Sequence, residues 1–508
     1  MQTSRRGFLS ICTTASALAH LPSLSWAQET PKKGGHVKIA VQNSSVSDTL
    51  DPAKGAHSAD WTKQFCLFNA LTEFNASMVP DLALAERLES SDGSKWLITL
   101  KKGIHFHDGS ELTSADVVYS LARHKEPATA SKAIAIANGF ADIKALSKYE
   151  VSLTLSKPDF DLPSVLGSSY FLIVKEGVTD FSKPVGTGPY VLETFVAGNK
   201  FSAKRNPNYW KNGLPHLDSV EIFGVTDSAA RVNAVLAGDV DICALVETRY
   251  AKQVESSNNV SLVVNKLPLY TDLILRQDHA VAGNKDFVAA VRYMQDRKRM
   301  LDSVMQGYGA IANDHPVAPW DPYFLEGLPQ RPFDLDKAKF HVQKSGLAGS
   351  SMDIICQPGI AASVEGAQFL QGFGAKVGFN FKVRQVPVDG YWSTYWTKYP
   401  MTYGSISNRP NVGMIFDLFY RSTSSTNEAQ WKEPKLDQLL DSARAEGDFN
   451  KRKAIYGDMQ TLVHENSGTI IPVFTAILDG VSKKIRGYVP NPSGMNMGYR
   501  VAEAIWRA

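Results

Sequence analysis

Apolar and polar positions along the chain alternate between two periods. Residues 36–41 (H-V-K-I-A-V) and 95–100 (K-W-L-I-T-L) repeat at every second position, with Trp96, Ile98 and Leu100 on one face, the signature of half-buried strands. Tyr190, Val191 and Leu192 open another strand, and Val240 to Ile242 a further one. Elsewhere the period is helical. Val232, Val235 and Leu236 share one face of a helix over 229–237, with Ser228 as its N-cap and Gly238 as its stop. Helices are also expected over 59–71, with Trp61, Phe65 and Phe68, and over 286–304, 363–376, 434–444 and 449–465. Thr113 and Asp116 have the spacing of a capping box ahead of Val117, Val118 and Leu121. Strands at 351–356 and 380–386 flank the helix at 363–376. This alternation predicts an α/β fold with a mixed sheet covered by helices on both faces.

A chain of 508 residues exceeds what one compact core usually holds, so two or three lobes are expected. Arg5 and Arg6 account for two of the three net positive charges, leaving +1 from residue 28 onward. That charge is no footprint for nucleic acid or for an anionic membrane. The paired arginines, followed by Phe8 and Leu9, read as a twin-arginine export signal, with an ordinary secretory signal as the alternative. Ser25 and Ala27 are the small residues of a cleavage site, so residues 1–27 are expected to be removed and the mature chain to be periplasmic. Ile11 before Cys12 argues against lipidation. Cleavage leaves Cys66, Cys243 and Cys356, an odd number that leaves at least one thiol free; all three are read as small buried hydrophobes.

The richest motif series lies over 184–242. It begins P-V-G-T-G-P-Y, continues through N-P-N-Y-W at 206–210 and P-H-L-D-S-V at 215–220, and ends A-G-D-V-D-I. Gly186, Gly188 and Pro189 demand a sharp bend. With L-D-P-A at 50–53, the segment 102–120 around H-F-H-D-G, F-D-L-D-K-A-K at 333–339 and I-I-P-V-F at 470–474, the series resembles the family 5 extracellular solute-binding proteins. This is the peptide, nickel and opine type that feeds ABC importers. The resemblance covers essentially everything after the signal segment. It implies a periplasmic-binding-protein-like α/β fold with two hinged mixed-sheet lobes and an extra outer subdomain. The expected boundaries are 28–70, 181–262 and 476–508 for lobe I, 71–180 for the outer subdomain and 263–475 for lobe II. It implies no catalysis and no cofactor, a monomer, and an ABC permease as partner.

His105 and His107 share a strand face beside Asp108, an arrangement that suits a metal. H-D-G is also an ordinary hairpin end, and the turn is the preferred reading, with no metal ligand assigned. The chain shows no G-x-S-x-G, H-E-x-x-H, Walker loop or strand-linked G-x-G-x-x-G. An exported enzyme and a nickel-chelate or haem receptor of the same fold remain the alternatives.

Ligand contacts are expected from the aromatic stretch 391–411, which offers Trp392, Trp396, Tyr403, Asn408 and Arg409, and from Tyr270, Arg276 and Gln357. The resemblance adds His57 and Ser58, with Asp60, because the loop after L-D-P approaches the ligand in relatives. Dipeptide-binding relatives place an aspartate where this chain has Arg409-Pro410, and an arginine in the loop that here reads Q-P-G-I-A-A-S (357–363). A reversed charge facing the ligand is incompatible with the same ligand. The expected ligand, a peptide-like or opine-like compound, therefore presents an anionic or polyhydroxyl group to Arg409.

Overall fold

The computed structural model describes residues 30–42, 44–407 and 409–508. The expected signal segment and Asn408 lie outside these residues. The predicted strands at 36–41, 95–100 and 351–356 form as His36–Val41, Lys95–Leu100 and Ser351–Cys356.

The largest sheet is mixed. From one edge it runs Asn380–Gln385, Ser351–Cys356, Met401–Ile406, Val260–Leu275 and Thr469–Ser482. It continues through Ile242–Cys243, His36–Val41, Ser219–Gly224, Lys200–Arg205 and Tyr190–Val196. The two long strands pair antiparallel from Val260 with Ser482 to Ile274 with Thr469, and their register breaks between Asn265 and Leu269. Pro268 lies in that break, where its missing N–H removes a ladder bond. Separate apolar cores flank the two halves: one around Val37, Phe65 and Tyr190, the other around Phe287, Phe379 and Phe381. A third core, around Trp96, Leu121 and Phe171, lies under a four-stranded antiparallel sheet of Ala85–Glu89, Lys95–Leu100, Glu150–Leu155 and Phe140–Ser147.

Local signals hold where a side chain answers its own backbone. Thr113 and Asp116 bond reciprocally, closing the capping box of Ser114–Ala122. Gly238 ends Ser228–Ala237 in the left-handed region, as expected. The cap of that helix is Asp227, not Ser228: its carboxylate accepts from the Ala230 N–H at 2.7 Å. Ser228 and Asp227 are both good capping residues, and the one further upstream takes the role.

Two predicted helices are shorter. The first spans Ser58–Leu67 rather than 59–71, because the Leu67 carbonyl accepts from the Gly188 N–H at 2.9 Å and the chain then runs extended. The predicted helix 286–304 is interrupted. Lys285–Tyr293 ends, Asp296 caps a new turn by accepting from the Arg299 N–H, and a π-turn covers Met300–Val304. Tertiary pairing drives the break: Arg297 makes a two-pronged contact with buried Asp314 at 2.7 and 2.8 Å. Cys66, Cys243 and Cys356 are buried and free, and burial pushes Cys243 up to about 12.

Candidate ligand-binding site

The P-V-G-T-G-P-Y turn is the keystone of the first half. Gly186 and Gly188 press against the end of Ser58–Leu67, and His107 braces them from the other side. The His107 ring accepts from the Gly186 N–H at 3.3 Å through Nδ1 and bonds the Gly188 carbonyl at 3.1 Å through Nε2. Burial holds its pKa below the usual histidine range. His107 therefore serves the turn, and no group of three or more His, Cys, Asp or Glu among the described residues is placed to hold a metal.

Fixing that turn also fixes the helix Ser58–Leu67, whose first two turns form one wall of a cavity of about 570 Å³. His57, Ser58, Trp61 and Phe65 come from this helix and its approach, and Tyr499 and Arg500 from the C-terminal segment. Lys132, Ser168 and Tyr170 belong to the segment carrying the four-stranded sheet, and Ser407, Arg409 and Met414 follow the strand Met401–Ile406. The aromatic side is continuous. Trp61 meets Tyr170 edge-on at 5.9 Å and Tyr499 at 5.2 Å, and Phe65 stacks on Tyr499 at 6.3 Å.

The charges on this wall are predominantly positive. Burial raises the Glu73 pKa, but Arg500 and Lys211 outweigh it and hold the carboxylate below its usual range. Arg500 reaches Glu73 at 2.6 Å, and Lys211 reaches it at 2.7 Å. Glu73 and Arg500 thus compensate each other within the protein, while Lys132 and Arg409 line the same space. Arg409 donates to the Ser407 carbonyl at 3.0 Å and its hydroxyl at 2.7 Å, and lies 5.5 Å from the Phe419 ring centre. Burial lowers its pKa, opposed by Tyr170, Tyr270 and Glu428. Ser168 Oγ is buried without a hydrogen-bond partner among the described residues, so a ligand acceptor or a water at this wall would satisfy it.

Arg409, His57 and Ser58 line this one cavity. Among the described residues, the other expected ones do not line it. Tyr270 and Tyr403 are fully buried on their strands, and the Tyr403 hydroxyl packs beside Gly366. Gln357 is buried and turns back to accept from the Gly359 N–H. Arg276 is engaged by Asp278 at 2.9 Å and by the Thr397 carbonyl. Trp396 donates to Glu428 at 2.9 Å. Trp392 is exposed, edge-on to Tyr391 and Trp396. The aromatic stretch packs largely on itself, and Asp60 pins its own loop by accepting from the Thr49 and Ala56 N–H groups. Lys132, Tyr170, Tyr499 and Arg500 escape a reading of the sequence because they stand in no motif.

Behind Arg409 lies a fully buried carboxyl pair, Asp272 and Glu428. Burial pushes Asp272 up to about 6 and Glu428 well above the usual range; the nearby Asp272 raises Glu428 further, while the Trp396 N–H opposes. Two carboxyls in one dry site share a proton. Since the folded pKa of Asp272 exceeds its unfolded value, ionisation above pH 6 costs stability that returns as pH falls toward 5. Wild type is therefore expected to gain about 1 kcal/mol more than Asp272→Asn between pH 7 and pH 5, read from paired thermal melts. Equal gains in the two proteins would contradict the shared proton.

Residues 77–427 match the family model described as bacterial extracellular solute-binding proteins, family 5, middle. Heme-binding protein A of Haemophilus influenzae is 26% identical over 480 residues, covering 86% of either chain. The dipeptide-binding protein of Escherichia coli is 24% identical over 489 residues, covering 84% of this chain and 87% of its own. The structure of HbpA2 from Haemophilus parasuis superposes with a TM-score of 0.84 at 21% identity, covering 93% of this chain and all of the other. The fold is thus the periplasmic-binding-protein-like one, with mixed-sheet lobes and an outer subdomain. The chain belongs to the bacterial extracellular solute-binding proteins of family 5.

Proposed function

We propose that this protein is the periplasmic receptor of an ABC importer. It binds a small anionic solute with an apolar or aromatic body, peptide-like or opine-like in size, and delivers it to a membrane permease without making or breaking a bond. The supporting observation is the 570 Å³ cavity, lined by Trp61, Phe65, Tyr170 and Tyr499 together with Arg409 and Lys132. A planar carboxylate or a phosphate suits an arginine fork, and the rings suit the remainder of the molecule. The cavity is bounded by segments from 28–70, 71–180, 263–475 and 476–508, which we read as lobe I, the outer subdomain, lobe II and the return to lobe I. No helix among the described residues is long and apolar enough to cross a membrane, which fits a receptor that meets its permease by docking.

Thermal melts against matched ligand sets test this reading. Carboxylated or phosphorylated conjugates are expected to raise the melting temperature, since a ligand at one hundred times its Kd adds about 2.7 kcal/mol. Unmodified dipeptides are expected to do little. A response confined to cationic ligands, or turnover of any ligand by the pure protein, would reverse the proposal. Haem is a second reading, favoured by His57 and Met414 in the lining of the same cavity and by the name of one relative. Under it, added haemin gives a Soret shift that His57→Ala abolishes.

A further inference from the structure

A second cavity of about 420 Å³ abuts the first. The two share Ala135, Ile136, Met414 and Leu418 as lining residues. Beyond that shared wall the second cavity is walled by Phe140, Leu155, Leu162 and Val165, all of them buried members of the core under the four-stranded sheet. Its charged rim carries both signs, Arg444 and Lys157 with Asp159, Asp417 and Asp441. Arg444 stands 3.9 Å from Asp159 and 3.4 Å from Asp417, and Asp441 is taken by Arg421 at 2.7 Å. The rim therefore has no strong preference for a charged group, and what the chamber offers a ligand is apolar surface.

The chamber lies where the sheet-bearing outer segment meets the second half of the molecule. The Phe160 N–H donates to the Arg444 carbonyl at 2.8 Å, and the Tyr456 hydroxyl donates to Asp161 at 2.9 Å. Ile136, Leu162 and Val165 come from one side of this contact, Met414 and Leu418 from the other. A group seated here touches both sides at once.

Building on the proposed anionic ligand, we propose that the binding cleft continues past Ile136 and Leu418 into this chamber. The chamber takes an unbranched or aromatic apolar arm of the same molecule whose anionic head lies at Arg409. The ligand class is then an anionic amphiphile, such as an acylated or aryl-bearing amino-acid conjugate, rather than a compact polar solute. The occupant follows from the shared wall: an arm leaving the aromatic side of the first cavity enters the second across Ile136 without crossing a charged rim.

A homologous series of N-acylglycines, from acetyl to decanoyl, titrated calorimetrically into the full chain tests this. Wild-type Kd is expected to fall about threefold to fourfold per methylene once the arm passes the shared wall, then to level off when the chamber is full. Val165→Phe, which fills the chamber, and Ser156→Trp, an exposed rim position whose change spares the core, are each expected to weaken the long members at least tenfold. Acetylglycine binding is expected to stay unchanged in both. A wild-type Kd independent of arm length, or long-arm affinity unaltered in both variants, overturns the chamber. Acetylglycine binding that survives Arg409→Ala unchanged overturns the anionic-head reading instead, and failure of the whole series to bind overturns both.

Discussion

Replacing Gly186 with alanine is expected to destabilise the fold by about 3–5 kcal/mol, a large cost for one added methyl group. A Cβ at Gly186 would stand 1.9 Å from the Leu67 carbonyl oxygen and 2.6 Å from Phe68 Cδ1. At Gly188 it would stand 2.3 Å from the Leu67 carbonyl carbon. These obstacles are mostly backbone, so they cannot swing aside as a side-chain tip does. The Leu67 carbonyl cannot retreat either, because it accepts from the Gly188 N–H and closes the helix that carries Trp61 and Phe65. Gly372 is the control. It lies in the helix Ser363–Val377 with nothing within 4 Å of its added Cβ, and there alanine is expected to stabilise by about 0.5–1 kcal/mol. Urea denaturation of the two variants reads both effects. A Gly186→Ala midpoint within error of wild type would show that the close approach relaxes cheaply.

Truncating Arg409 is expected to weaken an anionic ligand by about two orders of magnitude, since losing a charge-assisted bond in a desolvated cleft costs about 2–4 kcal/mol. Arg409→Lys restores part of the loss, keeping the charge but not the fork. Calorimetry at two salt concentrations separates the charge from the packing: the wild-type affinity falls with salt more steeply than that of Arg409→Ala. A variant Kd within threefold of wild type would move the anion elsewhere, with Arg500 and Lys132 next in line.

The G-T-G-P turn shows how far a motif carries an argument. A sharp bend is the local reason for Gly186 and Gly188, yet neither glycine has a positive φ. What excludes a side chain is the approach of Leu67, far away in the chain, which no local pattern announces. The aromatic stretch 391–403 misleads for a related reason. Ring density marks a surface that avoids water, but it does not say whether the partner is a ligand or another ring. Here the Tyr391 hydroxyl donates to the Tyr403 carbonyl at 2.6 Å and Tyr395 stacks between Tyr391 and Tyr399, so the stretch serves as packing. Arg276 carries a warning in the sequence itself, since Asp278 stands two residues on and takes its guanidinium.

By itself the sequence determined the strands His36–Val41, Lys95–Leu100 and Ser351–Cys356, the capping box at Thr113, the stop at Gly238 and the family resemblance. The local elements depend on side-chain spacing within a few residues, where the backbone's own geometry dictates the outcome. The resemblance also put Arg409 forward as a candidate ligand contact. Only the tertiary structure decided what Arg409 faces. Trp61, Lys132, Tyr170 and Arg500 reach the same cavity from widely separated stretches of chain, and long-range packing, not local preference, brings them together.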